Sequence, residues 1–155
     1  MNTDQKIKVY CVFAGLGKTY FCQHNPGWVE IEEESYTRLK MNPKALILAL
    51  KCYHKYGYAL LTNATPYVIR GLMADRDSFD ITIIVPPKGA KEIILQRIRD
   101  RGDNEWAKML KELYDYMYDY ARSCPYAKII YAQEGEYLTD VMNRLIEEEF
   151  KKYGF

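Results

Sequence analysis

The sequence predicts a three-layer α/β/α domain built on a five-stranded parallel sheet, and three observations predict it. Five short runs are dense in β-branched and aromatic residues and apolar enough to be buried on both faces. Between them lie longer stretches whose apolar residues recur every three or four positions, the period of a helix packed on one side. The first run leads through a turn of small residues straight into a helix pattern, the start of a βαβ series.

The first strand is expected at residues 7–13, IKVYCVF. Residues 18–23 open a helix that Asn25-Pro26-Gly27 breaks, and residues 28–32, WVEIE, form the second strand. Asn42-Pro43 is a helix start: a capping side chain, then a proline whose missing N–H is harmless in the first turn. That helix, 43–56, carries Leu46, Ile47, Leu50 and Tyr53 on one face and stops at Gly57. Residues 58–62 are the third strand. Thr65-Pro66 repeats the cap-plus-proline start, with Ile69, Leu72 and Met73 toward the core. Residues 79–85, FDITIIV, form the clearest strand, closed by Pro86-Pro87. A helix over about 90–100 turns Ile94 and Ile98 inward. Gly102 interrupts it, and Asp103 or Asn104 caps the next helix. That one places Trp106, Leu110, Leu113, Met117 and Ala121 at alternating four- and three-residue steps. Pro125 ends it, residues 128–132 are the fifth strand, and a final helix carries Leu138, Met142, Leu145 and Ile146. With no repeat and no dividing linker, residues 1–155 read as one domain.

Composition narrows the function classes. A formal net charge of +1 supplies no overall field to attract DNA or an acidic surface, so nucleic acid is not the expected partner. Cys11, Cys22, Cys52 and Cys124 form no C-x-x-C pair, which removes zinc-ribbon and redox-motif readings and favours free thiols. No apolar run is long enough to span a bilayer and no signal peptide is visible, so the expected location is the cytoplasm. The expected oligomeric state is monomer or homodimer.

The segment Ala14-Gly15-Leu16-Gly17-Lys18-Thr19 carries the chemistry. Small residues between strand and helix let successive backbone N–H groups face one anion, and the start of the helix adds unpaired donors. A lysine at the penultimate position reaches β- and γ-phosphates, and the following threonine hydroxyl can ligate Mg²⁺. The full pattern is G-x-x-x-x-G-K-[ST], and Val12 stands at its first glycine.

With this loop, an acidic cluster after the second strand and an arginine pair before a short lid, the chain resembles the P-loop nucleoside-monophosphate kinases, especially small divergent members encoded by phages. The resemblance covers nearly the whole chain as an order of elements. It implies ATP as phosphoryl donor, Mg²⁺ as cofactor, and a nucleoside or deoxynucleoside monophosphate as acceptor.

The remaining site residues fall into place around that expectation. Glu30 and Glu32 alternate onto one side of the second strand, beside the loop, with Glu33 and Glu34 following. The resemblance assigns them to the acceptor, with Glu32 positioning its attacking oxygen. Arg97 and Arg101 lie one helical turn apart, just before a lid at about 99–105. There they would neutralise the transferring phosphoryl group, a task suited to the planar guanidinium fork. Arg70 would bind the acceptor's phosphate. The third strand ends Leu61-Thr62-Asn63-Ala64 with no Walker B aspartate, and Asp80 lies at the wrong end of its strand. His24 and His54 have no second ligand at metal spacing. Tyr114, Tyr116, Tyr118 and Tyr120 are expected to pack with their hydroxyls in water. The readings kept beside the kinase are a non-catalytic nucleotide-binding module, a polynucleotide 5′-hydroxyl kinase, and an interaction protein using the tyrosine-rich helix.

Overall fold

The structure is a computed structural model that describes residues 5–32 and 43–155. Its five strands are β1 (Ile7–Val12), β2 (Trp28–Glu30), β3 (Ala59–Asn63), β4 (Phe79–Val85) and β5 (Ala127–Tyr131). All pair in parallel, in the order β2-β3-β1-β4-β5. Among the described residues six helices connect or follow them: α1 (Lys18–Gln23), α2 (Pro43–Lys55), α3 (Pro66–Ala74), α4 (Lys91–Asp100), α5 (Asn104–Arg122) and α6 (Leu138–Lys152). A 3₁₀ turn at Arg76–Ser78, unforeseen in the sequence, leads into β4.

Every expected strand and helix is present, with ends shifted by at most two residues. β2 stops at Glu30 rather than residue 32, although the Ile31 N–H still donates to the Leu61 carbonyl at 2.8 Å. The Thr65 hydroxyl accepts from the Val68 N–H at 3.4 Å, with Pro66 at the first helical position, as expected. The Asn42 cap lies outside the described residues. Asp103 precedes α5 without capping it: its carboxylate turns back to Arg101 instead, 3.2 Å from Nε.

The strand order places the site. From β1 the chain passes beyond β3 to reach β2, and from β3 it crosses β1 to reach β4. Right-handed crossovers in opposite directions put the helices on opposite faces. α1 packs with α6 on one side, while α2, α3, α5 and α4 pack in succession on the other. β1 and β4 therefore send their following segments in opposite directions, and the sheet has its switch point between their carboxyl ends. The central strands are dry: Val9, Cys11, Val12, Ile83, Ile84 and Val85 are fully buried.

Two regions depart from expectation. On α5 the buried stripe is Ala107, Leu110, Tyr114, Met117 and Ala121, one residue out of phase with Trp106 and Leu113. Leu113 is 44% exposed and Tyr114 3%, because Phe13 offers its ring to Tyr114 and Tyr118 at centroid distances of 5.2 and 5.9 Å. The hydroxyls of these two tyrosines are not in water. Tyr118 donates to the Pro86 carbonyl at 2.9 Å, and the Tyr114 hydroxyl is buried with no partner among the described residues. On α6, Ile146 lies outside the core that Leu138, Val141 and Met142 enter. α1 is only six residues, a span of about 9 Å. It leaves the amino-terminal half of its sheet face open as a groove of about 450 Å³ beside Lys8, Tyr10, Trp28 and Lys128. No helix among the described residues is long and apolar enough to cross a membrane.

Candidate functional site

β1 delivers the loop to the switch point. Val12 is its last residue, fully buried and in register with Asn63 on one side and Ile84 on the other. The sheet thus runs through the position where the full phosphate-loop pattern has its first glycine, which explains a valine there. The Phe13 N–H extends the pairing to the Ile84 carbonyl at 2.9 Å, and the chain then turns at Ala14.

The two loop glycines have separate reasons. Gly15 has φ +81°, and a Cβ there would stand 2.8 Å from Cγ2 of Ile94 on α4. Both conformation and space exclude a side chain. Gly17 has φ +84° and ends the loop, its carbonyl accepting from the Phe21 N–H at 3.0 Å to start α1. Between them Leu16 points into the core, 1% exposed, while its carbonyl accepts from the Leu138 N–H at 2.7 Å. The loop is therefore fastened to α4 and to the start of α6.

Arg97 completes the fastening. Its Nη1 donates to the carbonyls of Gly15 at 3.2 Å and Glu136 at 3.3 Å, and its guanidinium lies 3.9 Å from the centre of the Tyr137 ring. Glu136 and Tyr137, in the turn between β5 and α6, are site residues that sequence reasoning missed. The Arg144 guanidinium grips the Glu136 carboxylate through bonds of 3.0 and 3.2 Å and holds its pKa below the usual carboxylate range. The signal was present: residues 133–137 follow the fifth strand at the same carboxyl edge, where this sheet class binds its ligands. A cavity of about 20 Å³ between Leu16, Pro86, Ile94, Arg97 and Gly135 has room for about one water.

Lys18 and Thr19 stand in the first turn of α1, and the end of β2 meets both. Lys18 Nζ lies 3.5 Å from the Glu32 carboxylate, and the Thr19 hydroxyl donates to Glu30 at 2.9 Å. The two glutamates that sequence alternation put on one side do converge on the loop. Burial pushes the Glu30 pKa up and the neighbouring Glu32 charge adds to this, while the Thr19 hydrogen bond and Lys18 oppose it. Cys22 beside them is pushed to about 11, by burial first and Glu30 second, so it stays a thiol at neutral pH. Glu33 and Glu34 lie outside the described residues.

The other expected residues do not gather here. α4 ends at Asp100, so Arg101 leaves the helix that holds Arg97 and pairs, half exposed, with Asp103. Of the lid expected at about 99–105, only residues 101–103 form a turn, and the rest are the end of α4 and the start of α5. Arg70 is exposed on α3, its guanidinium 5.8 Å from the Tyr120 ring of α5. Asn63 ends β3 by accepting the Thr65 hydroxyl at 2.9 Å, and Asp80 sits exposed opposite Lys8 at the amino-terminal end of β4. Among the described residues no group of three or more His, Cys, Asp or Glu side chains is placed to hold a metal ion.

No family model matches the chain, and no curated protein matches it. Among solved structures it is similar to an uncharacterized protein from Eubacterium ventriosum, at 11% identity and a TM-score of 0.47, covering 93% of this chain and 98% of that one.

Proposed function

We propose that residues 14–19 bind the phosphates of a nucleoside triphosphate and that the protein is an ATP-dependent phosphotransferase acting on a nucleotide or similar small acceptor. One observation carries the reading. A turn at the sheet's switch point, with glycine at both of its left-handed positions, Gly15 and Gly17, ends in Lys18 and Thr19 at a helix start. Loop amides and Lys18 would hold the donor phosphates. α1 is short, so its macrodipole adds little, and the loop amides and the lysine bear most of that task.

The oxygen donors at this corner, the Thr19 hydroxyl with the Glu30 and Glu32 carboxylates, suit a hard cation such as Mg²⁺. Such an ion would supply charge neutralisation at the transferring phosphoryl group. This chain's own residues do the rest. Gly15 and Gly17 admit the anion to the backbone, Lys18 pairs with it, and Glu30 and Glu32 stand where an acceptor hydroxyl or phosphate would be oriented. Arg97 keeps the loop in shape from behind.

A second reading, a nucleotide-binding module without turnover, is favoured by the position of Arg101 and the absence of an acid at the end of β3. Calorimetry with ATP, joined to a phosphorylation screen over nucleosides and nucleoside monophosphates, separates the readings. The kinase reading expects ATP binding that Lys18→Ala abolishes, together with one phosphorylated acceptor. Binding without product supports the module. ATP binding untouched by Lys18→Ala ends both.

A further inference from the structure

Both side chains on which the anion would depend are already engaged, and by the same strand end. Lys18 reaches Glu32 at 3.5 Å and Thr19 reaches Glu30 at 2.9 Å. These carboxylates are not on free-swinging tails. Between them Ile31 is fully buried, and its N–H is bound to the Leu61 carbonyl at 2.8 Å, so sheet pairing sets the height of both neighbours. Two-residue alternation along the strand then matches Glu30 and Glu32 to two consecutive residues of α1. Only 11% of the Lys18 side chain and 23% of the Glu32 side chain are exposed, so solvent and salt screen the pair less than a surface ion pair. With both carboxylates ionised, the described residues at this corner, Lys18, Glu30 and Glu32, carry one positive and two negative charges before any ligand arrives.

We infer that Glu32 is an internal competitor of the anion: the ligand-free loop is latched by the Lys18–Glu32 contact, and a polyphosphate binds only by displacing it. This rests on the phosphate-binding reading of the same loop. The displacement is an exchange of ion pairs about one lysine, with no bond made or broken. Lys18 turns from one carboxylate to phosphate oxygens, and Glu32 gives up its lysine partner. Affinity for the anion is therefore lower than the loop alone would give, and any change that loosens Glu32 raises it.

Titration calorimetry with inorganic triphosphate, in buffer containing a chelator, compares wild type with Glu32→Gln, Glu32→Asp and Lys18→Ala. Glu32→Gln tightens binding about fivefold, the weight of one half-buried ion pair. Glu32→Asp keeps the charge but is one methylene short of the contact, and it tightens binding about twofold on the same scale. Lys18→Ala binds at least tenfold more weakly. A Glu32→Asp variant that binds like wild type would mean charge repulsion alone, and the latch is wrong. Equal or weaker binding by Glu32→Gln also overturns it, while Lys18-dependent wild-type binding leaves the phosphate reading standing. Triphosphate bound by neither wild type nor Glu32→Gln removes both ideas together. Should Glu32→Gln fail to fold, shown by its melting curve, the Glu32→Asp comparison decides alone.

Discussion

On the α6 side of the loop, Glu136 lies against Arg144, takes the Gln133 N–H at 2.7 Å, and has its pKa pulled down. On the β2 side, Glu30 is half-buried beside a second carboxylate and has its pKa pushed up, with the Thr19 hydroxyl as its hydrogen-bond donor among the described residues. The first arrangement is satisfied without any ligand and serves as a brace. Among the described residues the second holds more negative charge than its partners neutralise, so a cation or a donor there would be favoured. The proposed function puts ligand chemistry on this electrostatically incomplete flank.

The largest effect comes from displacing the loop from both flanks at once. Gly15→Val forces a β-branched residue to φ +81° and drives its Cβ into Ile94. Urea denaturation should show a loss of about 3 kcal/mol. A loss below about 1 kcal/mol would show that α4 yields and that the brace is soft.

The two flanks should then answer pH in opposite directions. Glu136, its folded pKa lowered, contributes stability that is present above the ordinary carboxylate range and is lost as pH falls through the folded value. Arg144→Met should cost about 1 kcal/mol at neutral pH and shrink that acid loss. Glu30, its pKa raised, does the reverse: its folded form favours the proton, so wild type loses stability as pH rises from the ordinary carboxylate range through the raised value. Glu30→Gln removes that fall. Its stability relative to wild type should improve as pH rises above the ordinary carboxylate range, read from melting temperatures at a series of pH values. Parallel pH profiles for the two variants would erase the distinction between the flanks.

The smallest effect is expected at Arg101. With half its side chain in water and Asp103 as its partner, Arg101→Ala should change stability by less than about 0.5 kcal/mol and leave triphosphate affinity untouched. A tenfold loss of affinity would place the α4–α5 turn in the site after all.

The elements of this fold were legible because each depends on local pattern. Residues 79–85 form β4 to the residue, since the unbroken β-branched run at 81–85 has no amphipathic alternative. Thr65-Pro66 starts α3 because cap and proline act within one turn. α5 shows the limit. Its apolar residues support two stripes one residue apart, and the packing of Phe13 against Tyr114 and Tyr118 selected one. Propensity does not distinguish them.

The site divides the same way. The glycines, Lys18 and Thr19 are contiguous, and strand alternation brought Glu30 and Glu32 toward them, so that half was visible in the sequence. Arg97 was visible as a candidate but its hold on the loop was not, because its carbonyl partners are 82 and 39 residues away. Arg101 looked equivalent to it until the helix ended between them.

By itself the sequence determined the parallel α/β class, the strand and helix positions, and the presence of a glycine turn with a lysine and a threonine. These follow from periodicity, from backbone conformations only glycine adopts readily, and from caps, all acting over a few residues. The tertiary structure decided which strands are neighbours, that Arg97 ties the loop to the β5–α6 turn, and that Glu30 and Glu32 already occupy Thr19 and Lys18. Those outcomes depend on distant segments meeting and on how far each charge is withdrawn from water, and neither is written in local pattern.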